Sequence, residues 1–188
     1  MGLGVETLAL RGPLLLTPER REDARGWTAE SFNDADIAEA VGRDIEFRQD
    51  VDVYSKAKGT LRGLHYQHPP FAQNKIVRVL RGAILDVLLD IRPASPSYGQ
   101  HVKVRLDHTK GQQLWVPEGF AHGFVTLRDH TQVGMKVSAI RAPQAQGRIR
   151  WNDPLLFIDW EVEAPIVSEN DARAPEFSDL ARPLSTRL

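Results

Sequence analysis

The sequence contains no cysteine, which excludes disulfides, thiolate metal sites and cysteine nucleophiles and is consistent with a cytoplasmic location. It also lacks any apolar run of about 18 residues, the length that a membrane-crossing helix needs. The opening stretch, MGLGVETLALRGPLLL, is interrupted by Glu6 and Arg11, so we read it neither as a signal peptide nor as an anchor. Charge of one sign is missing too. The 24 Lys and Arg against 25 Asp and Glu leave a formal charge of −1, which disfavours a nucleic-acid binder relying on a net basic field. What remains is a chain of 188 residues, 41% of them hydrophobic. That suffices for one core, and a single domain over residues 1–188 is expected.

The 14 Gly and 12 Pro punctuate short apolar segments, with no repeat and no low-complexity tract. Helical signals are clear only at Asn33 to Gly42, where an Asx start, an Ala-rich turn and a closing Gly coincide. His101 to Leu106 alternates strictly, as an outer or edge strand with one wet face does. Lys75–Leu80, Ala83–Ile91, Gln113–Pro117, His122–Leu127 and Gln132–Ala139 read as further strands. Many short strands at this spacing predict a sandwich or barrel. From Arg141 onward the chain is richer in Pro and polar residues, which predicts an irregular flap with one short helix near Pro175 to Leu180 and too little mass for a second core.

Polar residues concentrate in apolar surroundings around Asp23–Trp27, Leu61–Gln67, Val116–Phe124 and Ser168–Asp171. Taken singly, His65 or His122 is more often a satisfied sheet histidine than a catalytic one. The Pro-x-Gly-x-x-His turn of Pro117 to His122, however, is what a double-stranded β-helix uses to point a histidine into its barrel mouth. With His65 upstream it resembles the two halves of a cupin. Metal cupins carry His-x-His and a following Glu, whereas this chain has His65-Tyr66-Gln67-His68 and Gln73, a poor donor set for Fe or Zn. No metal and no cofactor are expected.

Longer motifs make the resemblance specific. Lys58-Gly-Thr-Leu-Arg-Gly-Leu-His-Tyr-Gln67, Ala72-Gln-Asn-Lys-Ile-Val-Arg-Val79, Asp86-Val-Leu-Leu-Asp-Ile-Arg92, Pro117-Glu-Gly-Phe-Ala-His-Gly-Phe124 and Ile149-Arg-Trp-Asn-Asp-Pro154 occur in order. Together they resemble the dTDP-4-dehydrorhamnose 3,5-epimerase family. That resemblance implies an all-β, metal-free cupin jelly roll, usually a homodimer, with short helices and an irregular C-terminal segment. It also implies an isomerase acting on a nucleotide-linked 4-keto-6-deoxy hexose. It places the base at His65, its partner carboxylate at Asp171 and an enolate-facing cation at Lys75. Arg25 is placed on the diphosphate, Glu30 and Gln49 on nucleotide or sugar, and Arg62 and His122 on sugar or phosphate. His65, Lys75 and His122 are expected to line one cavity. Arg62 and His65 differ by an odd number, so a regular strand would send them to opposite faces unless Gly63 marks a bulge.

Four positions depart from the family pattern: a Glu of the family aligns with Gln146, an Asn aligns with Val51, and two aromatic positions change as well. The family's acid Tyr aligns with Met135, whose thioether has no proton to give, and its thymine-stacking Tyr aligns with Arg141, which could stack through its guanidinium. Three readings follow: an epimerase on a 4-keto nucleotide sugar, at C3 and with C5 open; an isomerase or epimerase for another nucleotide sugar; and a noncatalytic nucleotide-sugar-binding cupin. Keeping His65, Asp171, Lys75, Arg25 and Arg62 together argues against the last, since a binder needs no base with an orienting acid.

Overall fold

The computed structural model describes residues 2–180. Thirteen strands carry the fold: β1 Leu3–Thr7, β2 Leu14–Pro18, β3 Arg20–Asp23, β4 Gly26–Ala29, β5 Gln49–Ser55, β6 Leu61–Gln67, β7 Lys75–Arg81, β8 Ala83–Asp90, β9 His101–Asp107, β10 Gln113–Val116, β11 Phe120–Thr126, β12 Thr131–Val137 and β13 Gln146–Arg148. Helix α1 spans Asp34–Val41, and short turns α2 (Glu169–Ala172) and α3 (Phe177–Leu180) follow the last strand. Two antiparallel sheets face one another, one ordered β1-β2-β10-β7-β12-β5 and the other β13-β6-β11-β8-β9, with β3 and β4 forming a separate hairpin. This is the cupin jelly roll.

The reason for two sheets lies in strand β8, buried at every position. Ile84 and Leu88 point between the sheets, against Val77, Val79, Leu114 and Phe124. Leu85, Val87 and Leu89 point the other way, against Leu64, Ile149, Leu156 and Trp160. A strand covered on both faces loses polar alternation, and its sequence becomes a near-continuous apolar run. By contrast β9 occupies a sheet edge, in keeping with its alternation.

Helix α1 matches its expected bounds. The Asn33 side chain accepts from the Ala35 and Asp36 N–H groups, and Gly42 closes the helix in a left-handed conformation at φ 75°. Ile37 anchors it on a third cluster with Leu16, Ile76 and Trp115, on the outer face of the six-stranded sheet.

The C-terminal segment departs from its expected form. The helix near Pro175–Leu180 is present as α3, but the segment also contributes β13 and α2. Its residues Ile149, Leu156 and Trp160 build a hydrophobic cluster on the outer face of the five-stranded sheet, so it is a covering layer of core rather than a flap. It needed no mass of its own because the sheet supplies half of each contact. Trp160 is 3% exposed, and its Nε1–H donates to the Trp151 carbonyl at 2.8 Å. Trp160→Ala is expected to cost about 3–5 kcal/mol, the range for emptying a buried aromatic site, read as a lower urea midpoint. A loss below about 1 kcal/mol would show the layer to be loosely held.

Candidate active site

The site begins with a break in a strand. Strand β6 pairs with β11 so that His65 lies opposite His122 and Arg62 opposite Phe124, with the register shifting between them. Three residues of β6 thus span two of β11, a bulge that puts Arg62 and His65 on the same inner face. Gly63 allows it. Its φ is +134°, and a Cβ there would meet the Gly123 Cα at 2.5 Å, so no larger residue fits the approach of the two strands. The parity difficulty is thereby resolved in favour of the bulge.

His65 Nε2 lies 2.6 Å from Asp171 Oδ1. Asp171 belongs to α2, where the Ser168 side chain accepts from the Asp171 N–H at 3.2 Å and so sets the direction of the turn. Burial alone would raise the Asp171 carboxyl, but the hydrogen bond and charge of His65, the Gly63 N–H and Ser168 together hold it below its usual value. An ionised carboxylate only accepts, so Nε2 carries the hydrogen and the Nδ1 lone pair is left free to take a proton.

A cavity of about 250 Å³ opens beside this pair. One wall is His65 with Arg148 and Gly147 of β13; the other is Lys75, Met135, Val137, Gln49 and Val51 of the six-stranded sheet. Lys75 is 8% exposed, and burial pulls its ammonium from 10.5 to about 8, with Asp86 opposing the shift. The lining includes three basic side chains, Lys75, Arg141 and Arg148, and no carboxylate. Such a surround favours an anion or a developing negative charge. Among the described residues no group of three His, Asp or Glu side chains is arranged to hold a metal ion.

Of the residues singled out from the sequence, the structure gathers His65, Asp171, Lys75, Gln49 and Arg141 around this space. Four lie elsewhere. His122 does not line the cavity; it is 4% exposed, with Nε2 2.7 Å from Asp86 Oδ1, because it sits one layer deeper on the inner face. Arg62 shares that face but is tied to Ser55 Oγ at 3.2 Å and the Tyr54 carbonyl at 3.1 Å. Arg25 stands in the β3–β4 turn, exposed and paired with Asp23 at 2.6 Å. Glu30 follows that hairpin and accepts from Asn33 Nδ2 at 3.3 Å.

Sequence reasoning passed over Arg148. It lies directly opposite His65 in the β13–β6 pair, and its Nε approaches Asp171 Oδ1 to 3.5 Å. The carboxylate that orients the histidine therefore also faces a permanent cation. A three-residue strand in a polar stretch carries no periodicity by which this could have been read.

Comparison with known proteins places this geometry. The family model described as dTDP-4-dehydrorhamnose 3,5-epimerase matches residues 7–179. The chain belongs to this family. The dTDP-4-dehydrorhamnose 3,5-epimerase of Shigella flexneri is 43% identical over 167 residues, covering 88% of this chain and 91% of its own. The crystal structure of the Bacillus anthracis epimerase, with TDP and PPi bound, superposes with a TM-score of 0.90 at 39% identity, covering 93% of this chain and 99% of the other. The Legionella pneumophila enzyme, in complex with dTDP-4-keto-L-rhamnose, gives a TM-score of 0.89 at 35% identity over 95% of this chain and 97% of its own. In this chain Met135 and Arg141, two of the positions set apart in the sequence analysis, both line the cavity.

Proposed function

We propose that this protein epimerises a nucleotide-linked 4-keto-6-deoxy hexose of the dTDP-4-dehydro-6-deoxyglucose type, by proton abstraction next to the ketone. The observation that carries this reading is the His65–Asp171 pair at 2.6 Å on one cavity wall with Lys75 on the other. A C4 ketone acidifies the protons on C3 and C5. His65 Nδ1 takes one of them, the C–H electron pair moves into the ring, and the ketone oxygen becomes an enolate that the Lys75 ammonium faces. Asp171 holds the imidazole in the right tautomer and stabilises the imidazolium, as the orienting carboxylate of a hydrolase triad does. Arg141, Arg148 and Gln49 are left to hold the nucleotide or sugar, and Arg25, Glu30, Arg62 and His122 are assigned supporting contacts through the family resemblance. The relatives' ligands, TDP in one and dTDP-4-keto-L-rhamnose in another, support a nucleotide sugar as substrate. The exposed Val5 and Trp27 and the free edge of β1 support a homodimer, since such edges need covering. We place it in the cytoplasm, with residues 1–188 as one catalytic unit.

Met135 favours a reaction centred on C3. Proton NMR of dTDP-4-dehydro-6-deoxyglucose in deuterium oxide is expected to show deuterium entering at C3, with C5 slower or silent. Equal, rapid inversion at both carbons would overturn the C3 preference. Exchange only with a sugar on another base would favour the second reading, which Arg141 in the cavity wall suits, and no exchange with any nucleotide sugar would favour a binder.

A further inference from the structure

We propose that Lys75 delivers the proton that completes inversion, from the cavity wall opposite His65, where Met135 offers no acid. This rests on the epimerase reading and deepens it. Inversion needs a base and an acid on opposite faces of the sugar. His65 belongs to β6 of the five-stranded sheet and Lys75 to β7 of the six-stranded sheet, and both line the same cavity. The rest of the six-stranded wall is Gln49, Val51, Met135 and Val137, none of which gives up a proton near neutral pH. Tyr66 is next to His65 on β6, with its ring packed in the outer cluster and its hydroxyl made less acidic by burial and by Tyr98. Lys75 is left as the group on the correct side.

Its surroundings suit the role. Val116 and Val137, its partners in register, are uncharged, so the ammonium is desolvated, and its pull to about 8 brings it near working pH, where a general acid is most effective. Asp86 of β8 acts on it in the opposite sense, favouring the charged form. Asp86 is 0% exposed and lies 2.7 Å from His122 Nε2 of β11. That opposing effect helps return the proton to Lys75 between turnovers. His65, Arg141 and Arg148 are the other titratable or charged groups facing the cavity besides Tyr66.

The step balances. The enolate oxygen returns its electrons to the C4–O bond, the ring carbon takes a proton from the Lys75 ammonium on the face away from His65, and a neutral amine and an imidazolium remain. The imidazolium releases its proton to water and the amine takes one back. If the amine has no proton to give, the imidazolium, re-equilibrated with deuterium oxide, returns a deuteron to the original face, and the sugar is labelled without being inverted.

The test is the ratio of inversion to deuterium entry at C3, measured by NMR on the whole protein with dTDP-4-dehydro-6-deoxyglucose. In the natural protein that ratio is expected to fall about tenfold per pH unit above about pH 8, as the ammonium is lost. A ratio that stays flat from pH 7 to 10 overturns the proposal. Lys75→Arg keeps the cation beside the enolate but cannot act as an acid, because guanidinium does not deprotonate in proteins. It is expected to exchange while inverting at least tenfold less, and inversion keeping pace with exchange in a folded variant also overturns the proposal. Should that variant fail to fold, the pH series on the natural protein decides. Failure of the underlying epimerase reading looks different: no deuterium enters at any pH, or His65→Ala exchanges like the natural protein.

Discussion

Replacing His65 by alanine is expected to slow deuterium entry into the substrate by about 10²–10⁴-fold, the range that a positioned general base supplies. The loss should fall on kcat with KM little changed, because His65 acts on a proton already brought to it. Folding should survive: its side chain is 41% exposed, so little packing is lost. Asp171→Asn is the companion. An amide oxygen can still accept from Nε2, but it brings no charge to stabilise the imidazolium, so a loss of similar order is expected with the fold intact. Exchange by His65→Ala within a few-fold of the natural rate would remove the histidine from the chemistry altogether. Asp171 adds a pH dependence of its own. Its carboxyl is held below the ordinary 3.8, so the stability it contributes is full above about that pH and is lost as pH falls through its lower value in the fold.

Lys75→Met is expected to leave the protein more stable at pH 7, by about 2–3 kcal/mol, while removing its activity. The ammonium titrates at about 8 in the fold against 10.5 ordinarily, so the unfolded chain holds more protons between those values and stability rises with pH across that window. Below about pH 8 the fold carries the whole penalty of a charged, buried lysine, roughly 1.4 kcal/mol per pKa unit. That value already contains the attraction of Asp86. A methionine of similar length fills the space without the charge. Urea unfolding at pH 7 and pH 10.5 checks this: the variant's advantage should shrink towards zero at the higher pH. A variant less stable at pH 7 would mean that Asp86 depends on Lys75 more than Lys75 suffers from burial.

The outlines of the jelly roll were legible because its central strands are short, apolar and separated by Gly and Pro turns, and α1 because Asn33 and Gly42 act through local hydrogen bonds and backbone angles. Strand β11 starts at Phe120, two residues before its expected start, because pairing with β8 extends it through Phe120 and Ala121. The C-terminal layer was not legible. Ile149, Leu156 and Trp160 are spaced irregularly and follow the surface of a sheet built by distant residues. For the site, motif resemblance reached His65, Asp171, Lys75, Gln49 and Arg141. It could not tell that His122 turns to Asp86, that Arg62 is engaged by Tyr54 and Ser55, or that Arg148 stands across from His65. Those are facts of depth and cross-strand register, decided by which strands meet.

The mooring of Asp171 has a consequence for how this protein comes into being. The imidazole and the carboxylate are separated by 106 positions in the chain, and the stretch that delivers the carboxylate is also the one that seals the outer face of the five-stranded sheet. During synthesis the histidine leaves the ribosome first, and the group that orients it emerges only after both large sheets have been made. An unfinished polypeptide that ends anywhere between Trp151 and Ser168 would keep its histidine and lack the carboxylate that aims it, so its action on a reactive keto sugar would be slowed at least as far as in Asp171→Asn. Competence arrives with closure, and turnover of the substrate doubles as a certificate that the last segment has docked.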